Sequence, residues 1–409
     1  MASAGRMKLG IVYHMPFWQD ADGTLWEAEG SFARYVDSLA PYVDEISLCV
    51  PVFRAPQARG TRLQAENVRL APLPFFDGPR HFYPKLPQVL MRIARWLPRI
   101  DVLHCRVPTP AAYPAFVAAR VLAKPVFLLV VGDLKALQPS MPYRGVKKPL
   151  WAAYTAIEEW ALARMARHSL TFANGAALAR KHDRPGAPVV ETRTTTISAH
   201  DISNRMDTCE GTTIRLLTVS RIDPRKGLRC LPGAVAALRA AGADIDLDVV
   251  GPAVGRPGEV ERDAIEAEAA ALGVRDRVRC IGAVALQDLL PLYRQYDVFV
   301  LPTLPGEGIP RVLLEAMAAG LPIVTTRVAG IPSLIAHEHN GLLIDEPTAA
   351  AVAAAVRRII HDPMLRQQLI RAGYETARAS TLERQAASMM SVVSRRLGVA
   401  LRPVVAATT

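Results

Sequence analysis

The chain has 409 residues, half of them hydrophobic and 21% charged, which is the balance of a folded protein and excludes a disordered one. Its 49 lysines and arginines against 38 acids leave a net charge of +11, which favours an anionic partner: nucleic acid, a membrane surface or phosphorylated metabolites. Five scattered cysteines, odd in number and without a CxxC pair, argue against a disulfide framework or a zinc site and for a reducing compartment.

At ~150 residues per domain the length predicts two to three domains. MASAGRMKLGIVYHMPFW lacks the apolar core of a signal peptide, and runs such as VFLLVV (126–131) are too short to span a bilayer. The expectation is a cytoplasmic protein, with a peripheral place on a membrane left open. From the N-terminus, KLGIVYH (8–14), EISLCVPV (45–52), VLHCRV (102–107), PVFLLVV (125–131) and SLTFAN (169–174) read as strands. Between them lie helical patterns, GSFARYVDSLAPYV (30–43) and PLWAAYTAIEEWALARMAR (149–167) among them. Strands that are apolar on both faces and separated by helices predict a parallel sheet covered on both sides.

After a polar stretch without a convincing element, SAHDISNRMDTCEGTT (198–213), a second series begins. It runs IRLLTVSRI (214–222), DLDVVG (246–251), RVRCIG (277–282), DVFVLPT (297–303), PIVTTR (322–327) and GLLI (341–344). The fold class is α/β: two Rossmann-like parallel-sheet domains facing each other across a cleft. Residues 1–200 form the first and 214–380 the second, while 381–409 give a C-terminal helix packing back toward the first domain, and a tail. Such sheets bind ligands at the carboxyl ends of their strands.

The sharpest chemical signal is PTLPGEGIPRVLLEAMAAGLPIVTT (302–326). A strand ends, a Gly/Pro loop follows, and a helix from about Pro310 to Ala319 is closed by Gly320 and Pro322. Exposed amides around Ile309 to Val312 and the positive helix end make an anion site. Glu307 and Glu315 flank it. A sugar nucleotide needs this combination, with N–H donors for diphosphate and carboxylates for the diols of sugar and ribose. In LLTVSRIDPRKGL (216–228), Arg221 and Lys226 follow a strand and point toward the same place, where a departing diphosphate is charge-paired. In VRCIGAVALQDLLPLYRQYDVFVLPT (278–303), Gly282 ends a strand near the expected base pocket and Asp297 begins the next.

Glu307-Gly-Ile-Pro-Arg-Val-Leu-Leu-Glu315-Ala-Met-Ala-Ala-Gly resembles the E-x7-E signature of retaining GT-B glycosyltransferases, and the chain is similar to glycosyltransferase family 4. SRIDPRKG, the VVG strand end, GAV-x4-L-x3-Y-x3-D-V and NGLLI (340–344) extend the match over roughly 214–380. The resemblance implies that Arg221 and Lys226 bind the donor diphosphate, Glu307 the transferred sugar and Glu315 the nucleotide ribose. It places the backbone of Gly308, Ile309, Pro310 and Arg311 against sugar and phosphate. It also implies retention of anomeric configuration, with the departing phosphate taking the acceptor's proton. The first domain matches more loosely. Its glycine-rich opening is reduced to GTLWEAEGSF (23–32), where Gly30 precedes a helix and approaches the donor phosphate. Where many members place a histidine after the strand at 125–131, this chain has Gly132 and Asp133, so Asp133 is the substitute candidate. Arg106 is an acceptor-binding candidate. His14 is either a donor to substrate or a satisfied polar residue.

Two D-x-D segments invite a metal reading: Asp20–Asp22, read as a flexible loop, and Asp244, Asp246 and Asp248, read as one solvent face of a strand entrance. With cations available for the diphosphate, neither metal nor other cofactor is expected. His337 and His339 lack HExxH spacing. No nucleic-acid motif appears. PKLPQVLMRIARWLPRI (84–100) sets Leu86, Leu90, Ile93 and Leu97 near one face with Arg92, Arg95 and Arg99 alongside and Trp96 available for an interface. The competing reading is a core-packed helix with snorkelling arginines. The expected partners are a nucleotide sugar, a glycan or lipid-linked acceptor and an anionic membrane surface. A sugar-nucleotide epimerase and an inactive sugar-nucleotide-binding module are the alternatives.

Overall fold

The computed structural model describes residues 7–403 apart from 29, 55–59, 77, 136–144, 146, 306–308 and 329. The chain forms two compact units, one from Met1–Thr194 with Leu382–Thr409 and one from Thr195–Thr381.

The first unit runs through β1 (Lys8–Val12), β2 (Phe17–Gln19), β3 (Leu25–Glu27), α1 (Ser31–Leu39), β4 (Glu45–Cys49), β5 (Val52–Arg54), β6 (Thr61–Arg62) and β7 (Val68–Leu70). It continues with α2 (Gly78–Phe82), α3 (Leu86–Trp96), β8 (Val102–Val107), α4 (Ala112–Val121), β9 (Val126–Val130), α5 (Lys147–Arg167), β10 (Leu170–Asn174), α6 (Ala176–His182) and β11 (Val190–Thr192). Seven strands pair in parallel in the order β11-β10-β9-β8-β1-β4-β7. Both faces are covered, so β8 and β9 are buried along their whole length.

A second, small sheet, β5-β2-β3-β6, has no counterpart in the sequence reading. The supposed flexible loop at Asp20–Asp22 is its hairpin turn. Asp20 accepts bonds from the Thr24 and Asp22 amides through Oδ1 and from Trp26 Nε1 through Oδ2, which locks β2 against β3.

In the second unit the order is β12 (Thr213–Val219), α7 (Cys230–Ala240), β13 (Asp244–Val250), α8 (Gly255–Ala271), β14 (Val278–Gly282), α9 (Leu286–Tyr293) and β15 (Val298–Leu301). Then follow α10 (Arg311–Ala318), β16 (Ile323–Thr326), β17 (Leu342–Ile344), α11 (Ala349–His361) and α12 (Pro363–Ala379). Its six strands are parallel, ordered β14-β13-β12-β15-β16-β17. The last helix, α13 (Leu382–Leu397), returns to the first unit. There Ala386, Met389, Met390 and Val393 join the cluster formed by Phe32, Val36 and Leu129.

Two expectations need correction. The polar stretch at 198–213 belongs to the second unit and is held by side chains. Asp207 pairs with the buried Arg366, while Tyr374 OH accepts the Arg205 amide at 2.9 Å and bonds Ser203 Oγ at 2.8 Å. In the 84–100 segment, Ile93, Trp96 and Leu97 are buried, and Trp96 Nε1 donates to Ser47 Oγ at 2.8 Å. The inner side of that helix packs on the sheet, with its indole facing β4, while Leu90 and Met91 on its outer side are exposed. No helix among the described residues is long and apolar enough to cross a membrane.

Candidate active site

In each sheet the chain reverses its direction of winding once. The second unit does so between β12 and β15, the first between β1 and β8. Loops leaving neighbouring strands diverge at such a point and open a crevice at the carboxyl ends.

In the second unit the β12 loop is shaped by Asp223, whose carboxylate accepts the Arg225 amide at 2.9 Å and pairs with the Arg225 guanidinium. That pairing, more than it is opposed by burial, holds the Asp223 carboxyl below the usual range. Arg225 is thereby committed, leaving Arg221 exposed and Lys226 buried. Gly227 follows with φ of 65°, and a Cβ there would lie 2.2 Å from the Pro302 carbonyl. Only glycine fits this approach. It lets Leu304 N and Thr303 Oγ1 bond the Arg225 carbonyl at 2.8 and 3.2 Å, so the β12 and β15 loops are tied together. On the other side, Ser220 N bonds Val250 O, and Gly251 N bonds Gly282 O at 2.8 Å. Gly282 is therefore brought to the same sheet end, beside β13.

Glu307 and Gly308 lie outside the described residues. Ile309, Pro310 and Arg311, all half-buried, lead into α10, with Pro310 extended at the N-cap. Glu315 sits one turn in and is only 4% exposed. Its Oε1 accepts Thr196 Oγ1 and its Oε2 accepts Tyr293 OH at 2.8 Å. Burial, then the neighbouring carboxylate, drive the Tyr293 hydroxyl well above its ordinary pKa, so it stays protonated as a donor. A carboxylate has about four acceptor positions, so each oxygen retains room for a further hydroxyl. Sequence reasoning passed over Thr196 and Tyr293, although Tyr293 is the tyrosine of GAV-x4-L-x3-Y. Asp297 of the same motif serves the opposite end of β15, accepting Cys209 N, Arg215 N and Arg205 Nη2.

At the first unit's switch point stand His14, after β1, and Arg106, near the end of β8. The Arg106 guanidinium carbon lies 4.8–5.4 Å from the ring centres of Tyr13, Phe32 and Tyr35. Its Nε and Nη1 have no acceptor among the described residues. Burial, and then the Arg106 charge, lower the His14 pKa to about 4, and the same causes lower that of the fully buried His104 to about 3. Both imidazoles are neutral at pH 7. Gly30, in the left-handed region at φ of 75°, precedes α1. The Phe32 and Ala33 amides are occupied by Glu27 Oε2 at 2.9 and 3.1 Å. A phosphate at Gly30 therefore has the Gly30 backbone itself to use, and not those first-turn amides. Asp133 faces Lys181, 2.8 Å away.

The acids of β13 do not share a solvent face as expected. Asp248 is buried, paired with Arg279 and accepting Tyr296 OH, while Asp244 and Asp246 are bridged by Arg277. No group of three or more His, Cys, Asp or Glu among the described residues is placed to hold a metal ion.

Residues 208–376 match the family described as Glycosyl transferases group 1. Among curated relatives, the amylovoran biosynthesis glycosyltransferase AmsK of Erwinia amylovora is 32% identical over 151 residues, 36% of each chain. A D-inositol 3-phosphate glycosyltransferase of Streptomyces avermitilis is 31% identical over 186 residues, 43% of this chain and 40% of that protein. The matched stretch thus spans well under half of each relative. Over the whole fold, the chain is similar to Anabaena HepE in complex with UDP and glucose, with a TM-score of 0.70 at 16% identity, covering 95% of this chain and all of that one. It is also similar to WaaG, a glycosyltransferase of lipopolysaccharide biosynthesis, with a TM-score of 0.66 at 17% identity, covering 94% and 99%. The fold is that of the GT-B glycosyltransferases, built on two Rossmann-like domains.

Proposed function

We propose that the chain is a retaining GT-B glycosyltransferase of the family 4 type, moving a sugar from a nucleotide-diphosphate sugar to a glycan or lipid-linked acceptor in bacterial-type surface polysaccharide synthesis. The observation that carries this reading is the tie between the β12 and β15 loops. It sets the Arg225–Lys226 turn beside the strand end from which the Glu307-bearing loop departs, while Arg221 precedes it in the same β12 loop. Arg221 and Lys226 neutralise the leaving diphosphate as its charge grows, an interaction stronger in the transition state than in the ground state. Glu315 holds the ribose hydroxyls and Glu307 the transferred sugar. The leaving phosphate takes the acceptor's proton, and no divalent metal is required. Activity that survives exhaustive chelation is the expected result; loss restored by Mg²⁺ or Mn²⁺ would overturn the metal-free mechanism.

The test of the function is a thermal-shift screen of UDP-, GDP-, ADP- and dTDP-sugars followed by mass spectrometry of the product. Glycosyl transfer is expected; epimerisation, or binding without turnover, would overturn it. The proposed site of work is the cytoplasmic face of a membrane. α3, α4 and α5 cover one face of the first sheet. Their outer surfaces expose Leu90 and Met91, Val117 and Val121, and Leu150, Ile157 and Trp160. Arg92, Arg95, Arg120, Arg164 and Arg167 lie on the same helices, and neither α3 nor α4 carries an acid. Each basic residue near an anionic bilayer adds about 1 kcal/mol. Flotation with phosphatidylglycerol vesicles at low salt, lost at ~1 M salt where the Debye length is ~3 Å, is the expected result. No flotation would favour a soluble acceptor.

A further inference from the structure

Two tyrosines mark the way out of α9, and each phenol donates to a buried carboxylate: Tyr293 OH to Glu315 Oε2 at 2.8 Å, and Tyr296 OH to Asp248 Oδ2. The two pairs differ in what else they hold. Arg279 donates to both Asp248 oxygens, at 2.6 and 3.0 Å, so that carboxylate is paired and closed. Glu315 is buried as deeply, at 4% exposure against 3%, yet among the described residues it forms no ion pair. Its side-chain donors there are two neutral hydroxyls, Tyr293 on Oε2 and Thr196 on Oε1. A buried carboxylate is costly until hydrogen bonds meet its lone pairs, and no arginine supplies them here. Both donors are held from behind. Tyr293 is fully buried, its ring 5.8 Å from that of Phe299 in β15. Beside Thr196, the Ile197 amide donates to Thr195 Oγ1, and the Ile197 side chain packs in the cluster of Leu313 and Leu314.

The Glu315 carboxylate is thereby clamped at both oxygens, with about one acceptor position left on each. A cis-diol presents two hydroxyls side by side and fills one position on either oxygen. A 2′-deoxyribose fills one and leaves the other empty, so it loses a bond to a charged group. We propose that Tyr293 and Thr196 are positioning residues for the donor: by holding Glu315 in one orientation they set its preference for a ribonucleotide over the 2′-deoxy counterpart. The proposal rests on the reading that Glu315 meets the nucleotide ribose. Their effect passes through Glu315 and not through contact with the nucleotide. When either hydroxyl is removed, the carboxylate turns, the match of two hydroxyls to two oxygens is lost, and the advantage of the ribose shrinks. Sugars carried on a deoxynucleotide are accordingly poor donors.

The test titrates the full chain with UDP, GDP and ADP and with the matching 2′-deoxynucleotides, read by calorimetry, in wild type and in Tyr293→Phe, Thr196→Val and Thr196→Ser. For the ribonucleotide that binds best, wild type should prefer the ribo form about tenfold, the size of one bond to a charged group. Tyr293→Phe and Thr196→Val, which lose a hydroxyl and little shape, should each cut that preference to about threefold or less. Thr196→Ser, which keeps the hydroxyl, should retain it. Lost stability weakens both nucleotides alike, so the ratio separates positioning from a merely structural role. In steady state the donor KM should rise in the first two variants while kcat changes far less. A preference equal in wild type, Tyr293→Phe and Thr196→Val, a Thr196→Ser that behaves as Thr196→Val, or a wild type without preference would overturn the positioning. A preference that collapses in the variants of a protein that transfers no sugar would sink the transferase and leave the positioning standing. Sugar transfer with an unchanged preference would do the reverse, and binding of none of these nucleotides would overturn both.

Discussion

At its switch point the second unit fastens loop to loop with backbone bonds, Leu304 N to Arg225 O and Gly251 N to Gly282 O, whereas the first assembles the same place from side chains. Arg106 stacked among three rings, a neutral His14 and the Asp133–Lys181–Glu159 bridge come from segments far apart in the chain. A backbone-built site fixes where a charged group common to all donors must sit. A side-chain-built site changes what it recognises with one substitution, as suits a partner that differs between related enzymes.

The contrast is sharpest in kinetics. Arg221→Ala or Lys226→Ala should reduce turnover by roughly 10²–10³, as loss of a transition-state charge partner does. Arg106→Met should raise the acceptor KM with a much smaller change in turnover. Equal losses of turnover at the two switch points, measured by steady-state kinetics, would erase the distinction.

Next in size is the second unit's internal scaffold. Arg366→Met strands the Asp207 carboxylate, whose pKa the Arg366 and Gln367 bonds hold at about 2 against the opposing effect of burial. Breaking such a pair costs about 3 kcal/mol. All five tryptophans, Trp18, Trp26, Trp96, Trp151 and Trp160, belong to the first unit, so fluorescence follows that unit alone while far-UV dichroism follows both. Arg366→Met should lower the melting transition seen by dichroism and spare the one seen by fluorescence.

Acid should act in the opposite order. His14 and His104 have depressed pKa values of about 4 and about 3, so between the ordinary 6.5 and those values the unfolded chain binds more protons than the folded one. Stability of the first unit is therefore full above pH 6.5 and falls as pH drops toward 4, by a few kcal/mol. Glu158 and Asp37, both raised by burial, oppose this, while His182, lowered by burial, adds to it. The Asp207 contribution to the second unit is present above pH 3.8 and is lost only as pH falls toward 2. Tryptophan fluorescence should thus report unfolding at a higher pH than the remaining dichroism signal. A single coincident transition would show that the units do not unfold separately. Gly227→Ala should add the clash of its Cβ with the Pro302 carbonyl to about 1–3 kcal/mol from the left-handed backbone, with donor thermal shift reduced as the two loops part.

Much of this architecture was legible because buried parallel strands are short apolar runs. Every core strand of the second unit falls on one, DLDVVG, RVRCIG and PIVTTR among them. The small β5-β2-β3-β6 sheet escaped notice because its strands have two or three residues and are defined by the Asp20 turn, not by an apolar pattern. Trp96 illustrates a second limit. An arginine-rich helix with a tryptophan reads alike for a membrane surface and for a sheet face, and the Ser47 hydroxyl that turns the indole to the sheet lies 49 residues away. In the candidate site, Lys226 and Glu315 were visible through their motifs, whereas the two hydroxyls that hold Glu315 were not. Tyr293 stood in a matched motif without a role of its own, and Thr196 lies 119 residues from the carboxylate it serves.

The position of α13 decides the order in which the molecule can be completed. Tyr35, Phe32 and Val36 of α1 wait for Met389, Met390 and Val393, which follow the whole of the second unit in the chain. Between Thr194 and Leu382 the ribosome adds 382 − 194 = 188 residues, about 10–40 seconds of synthesis, during which that apolar face has no cover. The second unit, unbroken in sequence, closes first; the first unit, although begun earlier, closes last. A nascent chain stalled just after Thr381 thus displays a finished second unit beside an unfinished first. Cutting the gene after Thr194 yields not a domain but a sheet missing one of its walls.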